Sequence, residues 1–307
     1  MKRALMFFIL LALLIPCASF SAASVLAAEA SGNEPAAQVL KGSKSEIETT
    51  YKNDGYVKIR YLKETSKKIK VRINKLDASG REGTEYTYDL SNRGVAETFS
   101  FQSGNGKYRI KVLENIDGTK YSVVQTETVE VSLKDEYAPF LIPIQHINYQ
   151  STSKAVLKAK ELTKDAKTEL EKVQLIYRFI VNHIVYDKQK AQLVIDGKLS
   201  GYIPSIDTVL ADRKGICFDY SSLMGAMLRS LNIPTKLVMG YVAPNNAYHA
   251  WNEVYIKGQG WIKINSSIYF DGENWSRMDS TFAAGNKSGK QTEFIGNGKN
   301  YSKKYEY

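Results

Sequence analysis

The chain has 307 residues, of which 43% are hydrophobic and 11% aromatic, enough for cores in two ordinary domains, and its formal charge is +10. The basic side chains are spread singly along alternating segments. There is no Arg-rich block or nucleic-acid module, so the charge reads as a solvated face attracted to anionic surfaces such as cell-wall polymers, and nucleic acid is set aside as a partner.

Residues 1–30 open with Lys2 and Arg3, continue through the apolar run "ALMFFILLALLIP" and end in small residues, the pattern of a secretory signal peptide. Val25-Leu26-Ala27 and Ala28-Glu29-Ala30 are the fitting cut sites. The apolar run is short of the ~20 residues that span a bilayer, which ranks an uncleaved anchor lower. Pro16 argues against lipid modification of Cys17. The expected location is therefore secreted or at the cell surface. Residues 31–50, polar and small, read as a linker.

From 51 to 140 the apolar period is two. "YVKIRYL", "KKIKVRINK", "TEYTYDL", "VAETFSF", "GKYRIKVLEN" and "YSVVQTETVEVSL" are separated by turn signals such as Gly104-Asn105-Gly106 and Asp117-Gly118. Short alternating strands at this spacing predict an all-β sandwich of immunoglobulin-like kind. No chemistry is legible in it.

Beyond Pro139 and Pro143 the period becomes helical. Leu157, Leu162, Ala166, Leu170, Val173, Ile176, Ile180 and Ile184 recur at three and four, as one helix or as two broken near Thr163-Lys164-Asp165. A second domain is placed at 150–285, followed by a polar tail at 286–307. His146 and His183 read as ordinary packing or surface histidines.

Cys217 is the one thiol outside the leader. It follows Gly215 and precedes the amphipathic stretch Leu223, Met224, Met227, Leu228 and Leu231, which ends at Asn232-Ile233-Pro234, so it sits at or just before a helix N-terminus. A thiolate is favoured there, and the first free N–H groups can hold an oxyanion. Asp219 works against the thiolate. A free cysteine is usually a small buried hydrophobe, but a lone one in an exported chain is a hazard unless it is used.

Downstream, "YHAWNEVYIKGQGWIKINSS" predicts a hairpin. With a loop at 257–259, Ile256 faces Gly260, Val254 faces Ile262 and Asn252 faces Ile264, which gathers the aliphatic side chains on one face. His249 and Asn265 then share the other face as diagonal neighbours, roughly 7–8 Å apart, with Trp251 and Trp261 as walls. A thiol, an imidazole and a polar orienter make nucleophile, general base and positioning group. One cysteine and three scattered histidines make a zinc site the weaker alternative.

The motifs Gly215-Ile216-Cys217-Phe218-Asp219-Tyr220, "MLRSLNIPTKLVMGYV", His249-Ala250-Trp251-Asn252-Glu253-Val254 and Gly260-Trp261 resemble the transglutaminase-like superfamily over about 170–282. The resemblance implies an α+β, papain-like core with helices on an antiparallel sheet. It makes Cys217 the nucleophile, His249 the general base and acid, and residue 265 the third member of a triad. The family usually has Asp-Pro-Thr where this chain has Asn265-Ser266-Ser267. Asn serves in papain-type triads, so the expected activity is thiol-dependent acyl transfer or hydrolysis at amide bonds of cell-surface proteins or cell-wall peptides. The expected oxyanion donors are the Cys217 N–H and a second group, with Tyr186 or Tyr202 as candidates. No metal or cofactor is required. The alternative is a non-catalytic binding or scaffolding protein that keeps the fold, and the intact Cys217/His249 pair weighs against it.

Overall fold

The computed structural model describes residues 36–243, 246–258, 260–261 and 301–307. The leader, Asn265 and residues 286–300, with the expectations attached to them, lie outside these. The described residues belong to one compact unit running from Ala36 to Tyr307.

The first part is all strand: β1 (Val39–Lys41), β2 (Ser45–Glu48), β3 (Tyr56–Tyr61), β4 (Ile69–Leu76), β5 (Glu82–Leu90), β6 (Glu97–Ser100), β7 (Gly106–Asp117) and β8 (Lys120–Val131). They form two antiparallel sheets, ordered β1-β2-β3-β6 and β5-β4-β7-β8. Alternation decides what is buried. Val57, Ile59 and Tyr61 of β3 and Ile69, Val71 and Ile73 of β4 are all at most 2% exposed and share one core, while the lysines and arginines between them face outward. The sheets meet face to face, with Tyr88 of one packing its ring 4.9 Å from Phe99 of the other.

The linker expected at 31–50 is corrected by β1 and β2. Ile47 is the one large apolar side chain of β2, too few to show a period. Burial of Ser45, whose hydroxyl donates to Gln125 Oε1 at 2.6 Å, completes the alternation with a polar residue.

Helices then alternate with short strands: α1 (Lys154–Thr163), α2 (Glu169–His183), β9 (Val185–Tyr186), α3 (Lys188–Ile195), α4 (Ile206–Asp212), β10 (Lys214–Gly215), α5 (Cys217–Arg229), β11 (Thr235–Val242), β12 (Ala247–Ile256), β13 (Gly260–Trp261) and β14 (Tyr301–Glu306). The break between α1 and α2 falls where the sequence placed it. Thr168 restarts the helix by a capping box: its Oγ1 accepts from Glu171 N–H at 3.1 Å and its own N–H donates back to Glu171 at 3.2 Å. α5 is central, buried throughout from Asp219 to Arg229 and packed against α1, α2, α4, β11 and β12.

The sheet beneath α5 is ordered β13-β12-β11-β14. Ile256 pairs with Gly260 and Tyr255 with Trp261, the register expected from the hairpin. Val254 and Ile256 join the aliphatic core as expected, while Ile262 and Ile264 lie outside the described residues.

The last strand, β14, corrects the polar tail expected at 286–307. It pairs antiparallel with β11, with a register shift at Met239/Gly240. Gly240 is what lets the backbones approach: a Cβ there would lie 2.0 Å from Ser302 O. Arg229, 2% exposed, closes the far end of α5 by donating to the carbonyls of Thr235 (2.9 Å), Ile142 (2.8 Å) and Tyr307 (2.9 Å). No helix among the described residues is long and apolar enough to cross a membrane.

Candidate active site

Cys217 is the first residue of α5 and is half-buried. The approach to it is narrow. β9 and β10 pair in parallel, setting Tyr186 opposite Gly215, and a Cβ on Gly215 would lie 2.6 Å from Asp219 Cβ, so glycine is needed for the turn to close. As the first helical residue, Cys217 has an N–H with no intrahelical acceptor, which suits an oxyanion.

Asp219 is fully buried. Its Oδ2 accepts the Ile216 N–H at 2.8 Å and the Lys190 ammonium at 2.9 Å, and its Oδ1 accepts the Tyr202 hydroxyl at 2.5 Å. Lys190 also donates to the Tyr202 oxygen at 2.8 Å. Burial, then the hydrogen bond to Asp219, pushes Tyr202 up to about 12. For Lys190 burial pulls downward, but Tyr202 and Asp219 outweigh it and the net shift is upward. Tyr202 is thereby removed as an oxyanion donor, since its hydroxyl hydrogen is committed to Asp219. Tyr186 remains close to the thiol: burial, then the charges of Cys217 and Asp187, pushes its phenol up to about 12.

His249 is in β12 and 8% exposed. β12 is tied to α5 through Asn252, whose Nδ2 donates to Ser221 O at 3.0 Å. Cys217 lies one helical turn before Ser221 and His249 three strand residues before Asn252. The neighbouring Tyr248 feels the thiol: burial, then Tyr305, Tyr241 and Cys217, pushes its phenol up to about 12. β12 alternates strictly here. Ala250 and Val254 join the core with α5, whereas the His249 ring lies with Trp251 and Tyr301, each centroid 6.4 Å away, on the face α5 does not cover. Trp251 therefore walls the histidine as expected. Asn265, the expected orienter, lies outside the described residues.

Neither other histidine competes for the role. His146 packs among Tyr88, Phe218 and Tyr307, and burial pushes its imidazole down to about 4. His183 is exposed at the end of α2, with Nδ1 2.8 Å from Phe179 O. Among the described residues no group of three His, Cys, Asp or Glu is placed to hold a metal ion.

Lys190 and Tyr301 were missed by sequence reasoning. An acid at the third position of α5 hints that a cation is near, but nothing in the sequence names Lys190, and Tyr301 arrives on the distant β14. On the outer face of the β4–β5 pair, a cavity of about 570 Å³ is lined by Lys68, Lys70, Arg72, Asp89, Tyr121 and Ser200, among others.

The profile described as "Transglutaminase-like superfamily" matches residues 158–266, which contain α5, β12 and all three expected triad positions. Residues 158–266 are a transglutaminase-like domain. The human kyphoscoliosis peptidase is 30% identical over 118 residues, covering 35% of this chain and 17% of its own length. The Bacillus subtilis protein YebA is 28% identical over 122 residues, covering 34% of this chain and 16% of its own. The match thus spans about a sixth of these relatives. A solved structure from Cytophaga hutchinsonii, described as a candidate cysteine protease, aligns over 88% of this chain and 83% of its own, with 20% identity and a TM-score of 0.41. The core is a papain-like arrangement of helices and antiparallel sheet.

Proposed function

We propose that this protein is an exported thiol enzyme of the transglutaminase, amidase or cysteine peptidase type, acting on amide bonds of cell-surface proteins or cell-wall peptides. The observation that carries this is Cys217 as the first residue of the buried helix α5, with β12, the strand that bears His249, tied to that helix inside the transglutaminase-like domain. His249 takes the thiol proton and the sulfur attacks the amide carbonyl carbon. The C–N bond then breaks and the leaving amine takes that proton from the imidazolium. An amine or water next attacks the thioester, giving a new amide or an acid and returning the thiol. Asn265 orients the imidazole, and the Cys217 N–H and Tyr186 face the developing oxyanion.

The leader pattern supports export. The two N-terminal sheets are read as an immunoglobulin-like module, and the basic cavity on β4–β5 suits an anionic wall polymer.

One observation favours the non-catalytic alternative: β12 sends His249 to the face opposite α5. The enzyme reading requires thiol and imidazole to meet beyond the N-terminus of α5. The short bifunctional reagent 1,3-dibromoacetone tests this. Cys217–His249 cross-linking found by peptide mass spectrometry, together with amine incorporation into or ammonia release from a glutamine-containing protein, supports the enzyme. Alkylation of Cys217 alone, with no turnover of protein or wall peptide, replaces it with the scaffold.

A further inference from the structure

α3 buries none of its residues, yet it lies against the first turn of the central helix. Its hold there is polar. Asp187 caps it, accepting the Lys190 N–H at 2.9 Å, and the Lys190 side chain reaches on to Asp219 and Tyr202. Asp219 is fully buried two residues from Cys217, where an unpaired carboxylate is costly and would oppose a thiolate. The same carboxylate holds the Ile216 N–H, which fixes the peptide leading into Cys217.

Resting on the thiol-enzyme reading, we infer that Lys190 and Tyr202 are positioning residues: they clamp Asp219 so that its carboxylate anchors the first turn of α5 while its charge is cancelled before it reaches the Cys217 sulfur. Lys190 supplies the charge, and Tyr202 supplies the hydrogen bond that saturates the other carboxylate oxygen. The clamp also fastens the segment 187–202 to the first turn of α5. The other titratable groups near this end of α5 are Tyr186 and Asp187 from the β9 side, Lys214 of β10 and Tyr248 of β12, with His249 on the other face of that strand. Among the described residues Lys190 is the cation that pairs with Asp219, at 2.9 Å.

Opposite substitutions of the pair separate charge from structure. The rate of Cys217 alkylation by iodoacetamide is followed against pH in the full chain, a readout that needs no substrate. Lys190→Met should move the alkylation midpoint up by roughly one pH unit, because the carboxylate is then uncompensated. Lys190→Arg should restore it. Asp219→Asn, with Lys190 kept, should move it down. Structural damage alone would shift both variants the same way. Lys190→Met should also lower kcat about tenfold or more with KM changed less than twofold. If Asp219→Asn does not fold, the Met and Arg variants of Lys190 decide the matter between them. Midpoints that coincide with wild type in both Lys190 variants would overturn the clamp. Shifted midpoints in a protein without turnover would leave the clamp standing and remove the enzyme reading instead.

Discussion

The two halves of the molecule put their charges in different places. In the N-terminal sheets ion pairs sit mostly on the outside, as with Lys70–Asp89 and Arg109–Glu82, where solvent screens them and each contributes little. Around α5 the charges are buried: Asp219 at 0% exposure, Arg229 and Glu253 at 2%. Such groups are a costly way to stabilise a fold, and removing one partner costs more than the pair gains. Their arrangement fits a positioning role. Asp219 holds the start of α5, Arg229 its end, and Glu253 receives Lys303 from β14 at 2.7 Å. One half is built by alternation of apolar residues, the other by polar anchors at the ends of a helix.

Substitutions sharpen that contrast, beginning with chemistry. Cys217→Ala and His249→Ala should each abolish acyl transfer while thermal melting stays near wild type, and a melt that collapses would move these residues from chemistry to structure. Asn265→Ala should lower kcat by about an order of magnitude with little change in KM, and Asn265→Asp should retain activity or raise it, because a carboxylate also stabilises the imidazolium.

Next come the anchors. Arg229→Met removes the side-chain donor from the carbonyls of Thr235, Ile142 and Tyr307, the last of which also accepts the Leu237 N–H, and should cost about 3 kcal/mol or more in urea unfolding. A loss below about 1 kcal/mol would mean that the end of α5 does not depend on this side chain. Gly240→Ala should cost about 2 kcal/mol by pushing β14 from β11, visible as faster amide exchange across residues 301–307.

The smallest effect is in the N-terminal half. Glu114 is held down to about 2 by hydrogen bonds from Lys67, Tyr61 and Lys44, the two lysines at 2.6 and 2.9 Å. A carboxyl lowered in the folded state stabilises above its unfolded value of 4.5, and that contribution fades as the pH falls from there toward about 2. Glu114→Gln should flatten this part of the acid titration of stability while leaving Cys217 alkylation untouched. An unchanged acid profile would place the sensitivity elsewhere.

The strands were legible wherever every second residue is apolar over several positions, as in β4 and β7, because a sheet buried on one face writes that period directly into the chain. β2 escaped because its buried positions are Ser45 and Ile47, and a hydroxyl satisfied by Gln125 leaves no hydrophobic trace. The helix start at Cys217 was legible from the glycine before it and the apolar spacing after it. The hairpin register was legible because one slip would scatter Val254 and Ile256 away from the core.

What the sequence determined by itself is therefore local: the period of each segment, the thiol at the start of a helix, the histidine on a strand and the motif that joins them. The tertiary structure alone decided the partners. Tyr301–Glu306 became a strand because β11 offers it an open edge and Gly240 offers it room, both some 60 residues earlier in the chain. Lys190 reached Asp219 across 29 residues, and Tyr202 did so across 17. Hydrogen bonds and ion pairs act over a few ångströms of space, so a pair that closes a long loop leaves no periodicity along the chain for either member to be recognised by.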